Sequence, residues 1–270
     1  MTDSDARFRD DGTAIRDDCV SFIRSTVTDA DADAVVVGLS GGLDSTVVTT
    51  LAVEALGPDR VYGLVLPSSK IGSRSAQDAE AIAEALGIDS DTIHLQPLLM
   101  CVSDMTPVHT DLHGSPIVRD TLVARLRMAM IHLAANATGR FVVGSTTRTE
   151  LLLGSFVKYG DSAADLLPLG GLYRTEVEAL AGELDVPPFA TESPPSTGVF
   201  PGQFDRNELD IPSETIDSIL CRCLEGETDP ASVRADLDRD VSLGTVERIL
   251  RHYRAAADER RRPATGPRSK

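Results

Sequence analysis

The chain of 270 residues is 41% hydrophobic, enough for a sizeable core, and carries a formal net charge of -16. That acidity excludes a nucleic-acid-coating protein, and no apolar run approaches a membrane span. The acidic start Met1-Thr2-Asp3-Ser4-Asp5 is no secretory signal, so a cytoplasmic location is expected.

In chain order, residues 9–27 read as an amphipathic helix, with Ile15, Val20, Phe22 and Ile23 on one face. After an acidic linker, the apolar run Ala34 to Val37 predicts a buried strand, and Thr46 to Val53 the start of a helix. Val61 to Leu66 predicts strand two, and Ser75 to Leu86 a helix closed by Gly87. Thr92 to Leu95 predicts strand three, and residues 97–117 read as irregular. Thr121 to Ala135 is a long helix, Arg140 to Gly144 strand four, and Thr147 to Leu153 a short helix. A polar loop (154–167) and a helix (175–184) precede a proline-rich stretch, 185–212, read as a surface loop or lid. Three helical segments, 213–224, 230–238 and 244–259, close the chain before a basic tail. Strands alternating with helices predict an α/β fold, a doubly wound parallel sheet flanked by helices, with the last helices appended. One domain over 1–263 and a flexible tail over 264–270 are expected.

Between the first strand and its helix lies Gly38-Leu39-Ser40-Gly41-Gly42-Leu43-Asp44-Ser45. A strand, a glycine-rich turn and a helix N-terminus make an anion site, where free N–H groups and the helix dipole converge. Ser40 and Ser45 add hydroxyls, whereas Asp44 would repel phosphate unless a cation sat between them. The loop has neither the lysine of a P-loop nor the Gly-x-Gly-x-x-Gly spacing of a dinucleotide fingerprint. It resembles the Ser-Gly-Gly-x-Asp-Ser loop of ATP pyrophosphatases, which cleave ATP between its α and β phosphates.

Three further clusters are hard to explain as packing: Ala124 to Met128, Gly144 to Glu150, and Lys158 to Pro168 with Leu172 to Thr175 behind it. Lysine occurs only at Lys70, Lys158 and Lys270, which sets Lys158 apart. Arginine supplies the other 23 of the 26 basic residues. An acidic, lysine-poor surface fits a cytosol at molar salt, where the Debye length is about 3 Å. The cysteines Cys19, Cys101, Cys221 and Cys223 lack metal-ligand spacing and read as reduced thiols, and no histidine pairs with a nucleophile.

From about residue 12 to 263 the chain is similar to ammonia-dependent NAD synthetase. The likeness rests on the phosphate loop, the Ala-Arg-x-Arg-Met helix, Glu150, Lys158-Tyr159-Gly160-Asp161 and Asp165-Leu166-Leu167-Pro168. It extends to Tyr173-Arg174-Thr175 and to Pro194-Pro195-Ser196-Thr197-Gly198 with Gly202-Gln203. The resemblance implies a ligase that adenylates the nicotinate carboxylate of deamido-NAD with ATP, releases pyrophosphate, and lets ammonia displace AMP. It implies Mg²⁺ held by Asp44 and Glu150, with Asp44, Ser45, Glu150 and Lys158 catalytic. ATP contacts are implied for Gly38 through Ser45, and for Ser145, Arg174 and Ser196. Deamido-NAD contacts are implied for Arg125, Lys158, Asp165, Glu259 and Arg260. A homodimer with its dinucleotide site near the interface is also implied, and no nucleic-acid or membrane partner.

The chain departs from the family pattern at four places. Asp120-Thr121 stands where Gly-Asn is usual, and Gly144 to Glu150 replaces a Gly-Thr-Gly-Asn-Lys-Ser-Glu segment. Arg174 replaces a lysine, exchanging a point charge for a fork. Glu259-Arg260 falls where the family has His-Lys, which bears on substrate identity more than on the ATP chemistry. Two alternatives therefore stand: a paralogous ATP pyrophosphatase adenylating a different carboxylate, and a nucleotide-binding protein that has lost turnover.

Overall fold

The computed structural model describes residues 8, 11–68, 74–105, 114–184, 186–187, 190, 211–224, 226, 228–237 and 241–261. Helix α1 (Gly12–Asp29) opens with Asp11 accepting the Ala14 N–H, and buries Ile15, Cys19, Ile23 and Val27 at four-residue spacing. There follow β1 (Val35–Leu39), α2 (Leu43–Leu56), β2 (Val61–Val65), α3 (Arg74–Leu86) and β3 (Asp89–Thr92). Next come α4 (Gln96–Met105), α5 (Pro116–Thr138), β4 (Phe141–Val143), α6 (Arg148–Leu153) and α7 (Arg174–Glu183). Helices α8 (Ser213–Leu224), α9 (Pro230–Ala235) and α10 (Leu243–Ala255) complete the described elements.

The four strands form one sheet in the order β3-β2-β1-β4, and every pair is parallel. The chain steps outward from β1 to β3, then crosses back and lays β4 on the other side of β1. That reversal opens a crevice at the carboxyl ends of β1 and β4, where ligands bind in open α/β sheets. The strand period of two feeds two separate cores. Val35, Val37 and Leu39 pack with α1, α2, α3 and α7, while Val36, Leu64 and Val142 pack with Leu99, Val123 and Ile131 of α4 and α5. Both faces are thus covered, as the continuous apolar runs require. Each fully buried Val or Leu contributes about 1.5–3 kcal/mol relative to exposure.

A third core joins α6 to the last helices, through Leu152, Leu153, Ile216, Ile219, Leu220, Val246 and Ile249. It ties the C-terminal helices directly to the element that carries Glu150. No helix among the described residues is long and apolar enough to cross a membrane.

Three boundaries differ from the sequence reading. Strand three runs over Asp89–Thr92, earlier than expected, because an edge strand pairing with β2 needs backbone groups rather than apolar side chains. Leu95, read as its end, is buried instead beneath α4. Residues 96–105, expected to be irregular, are helical, since Pro97 lies in a first turn where its missing N–H costs nothing. Helix α5 starts at Pro116, capped by the Ser115 hydroxyl accepting the Val118 N–H.

Candidate active site

The phosphate loop turns at Gly41, whose φ of +80° lies in the left-handed region. A Cβ there would collide with the Ser75 carbonyl oxygen of α3, so only glycine fits. Ser40 and Ser45 lock the turn. Their hydroxyls lie 2.9 Å apart, Ser45 Oγ donates to the Gly42 carbonyl at 3.0 Å, and the Gly42 N–H donates to Ser40 Oγ at 3.3 Å. Gly42 is the N-cap of α2 and brings no side chain to cap it, which leaves that helix end to an anion.

Asp44, in the first turn of α2, accepts from Arg174 Nη1 with both oxygens, at 2.9 and 3.0 Å. Arg174 opens α7, is only 7% exposed, and donates from Nε to Glu178 at 2.7 Å. A buried guanidinium between two carboxylates is compensated; alone it would be strongly unfavourable.

Glu150 arrives from the other side of the crevice, on α6 after β4. Its Oε2 accepts the Thr147 N–H at 2.8 Å and the Thr147 hydroxyl at 2.9 Å, a capping box that fixes the rotamer. Among the described residues its Oε1 accepts no hydrogen bond. Burial, and then the charge of Asp44, push the Glu150 carboxyl up to about 7. Two carboxylates that repel across a cleft, one with an oxygen unfilled, beside a helix end without a side-chain cap, suit a hard divalent cation. Mg²⁺ takes one or two carboxylates and completes its shell with waters and phosphate oxygens. No group of three or more His, Cys, Asp or Glu side chains forms a closed metal cage among the described residues.

A second set gathers beyond α6. The exposed Arg125 of α5 donates from Nε to the Lys158 carbonyl at 3.4 Å. Lys158 Nζ donates to the Asp258 carbonyl at 3.0 Å and lies 5.8 Å from the centre of the Tyr159 ring. Tyr159 itself has φ +63°, a left-handed backbone held in an exposed loop. The tail reaches this place because Gly154, the αL cap of α6, leaves room where a Cβ would meet Ala256 Cβ at 2.7 Å. Arg260 then donates to the Leu152 carbonyl at 2.7 Å and the Tyr253 carbonyl at 3.1 Å, so its guanidinium anchors the tail. Glu259, beside it, is half-buried.

Asp165 is exposed, with Oδ2 accepting the Val142 N–H at the edge of β4 at 2.8 Å. Ser145 is half-buried just past the end of β4. Ser196 lies outside the described residues. The structure therefore brings Asp44, Ser45 and Arg174 together on one side of the crevice, with Glu150 opposite. It brings Arg125, Lys158 and the residues before Arg260 together near the C-terminal end of α6.

Sequence reasoning did not identify the Thr147 capping box, although Thr-x-x-Glu is its signature. It also missed Glu178 as the partner of Arg174, a plain i,i+4 pair. The buried Asp217, which holds Thr149 and Thr175, carries no local signal at all.

A family model described as NAD synthase matches residues 15–263. The NH3-dependent NAD⁺ synthetase of Methanococcoides burtonii is 37% identical over 249 residues, 92% of either chain. That of Halobacterium salinarum is 36% identical over 248 residues, 92% of this chain and 91% of its own. Among solved structures, NMN synthetase from Francisella tularensis superposes with a TM-score of 0.78 at 30% identity, covering 94% of this chain and 98% of its own. The NH3-dependent NAD synthetase of Campylobacter jejuni gives 0.75 at 25% identity, covering 95% and 100%.

Proposed function

The chain belongs to the NAD synthase family, and we propose that it forms NAD from deamido-NAD, ATP and ammonia, releasing AMP and pyrophosphate. The observation that carries this reading is the crevice between β1 and β4, where the glycine-rich loop and a buried guanidinium paired to Asp44 stand near Glu150, whose carboxyl the charge of Asp44 raises.

A carboxylate is a poor electrophile until one of its oxygens belongs to a good leaving group. One oxygen of the nicotinate carboxylate attacks the α-phosphorus of ATP in line, and the bond to the β-bridging oxygen breaks. Such a step demands positioning and charge neutralisation rather than a protein nucleophile. The Gly38–Ser45 loop receives the departing pyrophosphate. Asp44 and Glu150 would hold Mg²⁺, whose charge neutralises the phosphates during transfer. Arg174 keeps Asp44 in place and offers Nη2, which has no hydrogen-bond partner among the described residues, to the polyphosphate. Ser145 and Ser196 supply hydroxyls to ATP. Ammonia then adds to the acyl carbon, and AMP leaves with the carboxylate oxygen. Arg125, Lys158 and Asp165, with Glu259 and Arg260 behind them, receive the dinucleotide. The protein acts in the cytoplasm as a homodimer of single-domain subunits spanning 1–263.

The test is to incubate purified protein with deamido-NAD, ATP, Mg²⁺ and ammonium at molar KCl and to follow NAD, AMP and pyrophosphate in equal amounts. AMP formation with other acids and not with deamido-NAD would overturn the substrate assignment. The likeness to the Francisella protein, named for a mononucleotide, and Glu259 in the tail support a second reading, the same chemistry on the corresponding mononucleotide acid. Comparing kcat/KM for the two acids decides: the present reading expects the dinucleotide to be preferred.

A further inference from the structure

Asp217 of α8 is fully buried, and both of its oxygens are engaged. Oδ1 accepts the Thr149 hydroxyl at 2.6 Å, and Oδ2 accepts the Thr175 N–H at 2.9 Å. Thr149 Oγ1 in turn accepts the Arg174 N–H at 2.8 Å. These bonds close a ring through three elements. Thr149 immediately precedes Glu150 in the first turn of α6, and Thr175 immediately follows Arg174 in the first turn of α7. Each of Asp217's two grips is therefore one residue from a charged group of the ATP site.

The physical demand on this carboxylate is specific. A helix N-terminus has orphan N–H groups, and in α7 they are taken by Thr149, by Asp217 and, at Tyr173, by Glu176 at 2.8 Å. The dipole at that end favours the negative charge of Asp217. For docking α8 alone, an apolar side chain would serve as well or better, because a buried charge brings a large desolvation cost. What an apolar side chain cannot do is fix direction and distance at two helix starts at once.

We infer that Asp217 is a positioning residue that sets the placement of Glu150 relative to Arg174, and through Arg174 that of Asp44. The C-terminal helices thereby control the geometry of the metal–phosphate half of the site from behind, without touching substrate. The inference rests on the proposed assignment of Asp44 and Glu150 to a metal–nucleotide complex, and its test reads binding as well as turnover.

The variants are Asp217→Asn, Thr149→Val and Thr149→Ser. In Asp217→Asn the amide oxygen keeps the Thr175 N–H while the NH2 faces Thr149 Oγ1, so the Thr149 O–H loses its charged acceptor and that grip is weakened at nearly constant volume. Calorimetric titration measures affinity for a non-cleavable α,β-methylene ATP analogue with Mg²⁺, and separately for deamido-NAD. Asp217→Asn and Thr149→Val should each weaken Mg²⁺–analogue binding and lower kcat by roughly 10- to 100-fold, the usual effect of removing a group that orients a ligand. Deamido-NAD affinity should stay within about twofold, and Thr149→Ser, which keeps the hydroxyl, should behave as wild type. A folded Asp217→Asn protein with unchanged Mg²⁺–analogue affinity overturns the inference, as does equal weakening of both ligands. Should Asp217→Asn not fold, Thr149→Val decides, and wild-type binding in that variant overturns it. Wild-type protein that binds the Mg²⁺–analogue yet makes no NAD would refute the proposed function and leave this comparison intact.

Discussion

Glu150 is a liability to the unliganded fold, and its replacement by glutamine should show this. Burial and the charge of Asp44 move its carboxyl from 4.5 to about 7. At 1.36 kcal/mol per pH unit that displacement corresponds to about 3 kcal/mol. The sign follows from proton uptake. Between those two values the folded state binds more protons at this site than the unfolded state, so stability falls as pH rises through the window. Below about 4.5 both states are protonated and the penalty is absent. Glutamine keeps an acceptor for the Thr147 N–H and hydroxyl and carries no charge. In metal-free buffer at pH 8, Glu150→Gln should therefore be more stable than wild type by up to about 3 kcal/mol, falling to about 1 kcal/mol or less at pH 5. Urea unfolding at the two pH values measures it, and the difference between the proteins cancels the titrating groups that do not interact with Glu150. Added Mg²⁺ with an ATP analogue should stabilise wild type and not the variant. The same gain or loss at both pH values would refute the electrostatic account of Glu150.

Three other outcomes follow. Asp44→Ala should leave a folded protein, with Arg174 still paired to Glu178, and lower pyrophosphate release at least about 100-fold; near-wild-type turnover would remove Asp44 from the site. Gly41→Ala should cost at least about 1–2 kcal/mol from its left-handed backbone alone and abolish ATP binding, since the new Cβ meets the Ser75 carbonyl. Wild-type urea stability in Gly41→Ala would contradict that geometry. With a net charge of -16, Tm should rise as KCl goes from about 0.1 M to about 1 M and the Debye length falls from about 10 Å to about 3 Å. An unchanged Tm would contradict an acidic surface tuned to salt.

What was legible in the sequence is what short-range physics dictates. The Gly38–Ser45 loop declares itself because strand, turn and helix start are contiguous, and the doubly wound sheet follows from alternating patterns. Edge strand β3, with the exposed polar sequence Asp-Ser-Asp-Thr, gives no apolar signal because its side chains face water on an outer strand. Helix α4 is hidden by Pro97, which reads as a breaker although it lies where a helix tolerates it. In the site, the residue types of Asp44, Glu150 and Arg174 were readable from motifs. Their pairing was not, because Arg174 and Asp44 are 130 residues apart and meet only when α7 packs beside α2. Asp217 is further hidden, since a lone aspartate in an amphipathic helix looks like a solvated residue until tertiary contacts bury it. The tail shows the reverse case. Glu259-Arg260 stood out as a departure, and the structure gives Arg260 a local task, bonding the Leu152 and Tyr253 carbonyls.

In the proposed reaction the acceptor's own carboxylate oxygen attacks ATP. Deamido-NAD labelled with ¹⁸O in the nicotinate carboxylate, turned over with ATP, Mg²⁺ and ammonium, tests it most directly. One ¹⁸O should appear in the phosphate of AMP and none in pyrophosphate. AMP free of label, with the oxygen recovered in water or pyrophosphate, would contradict it.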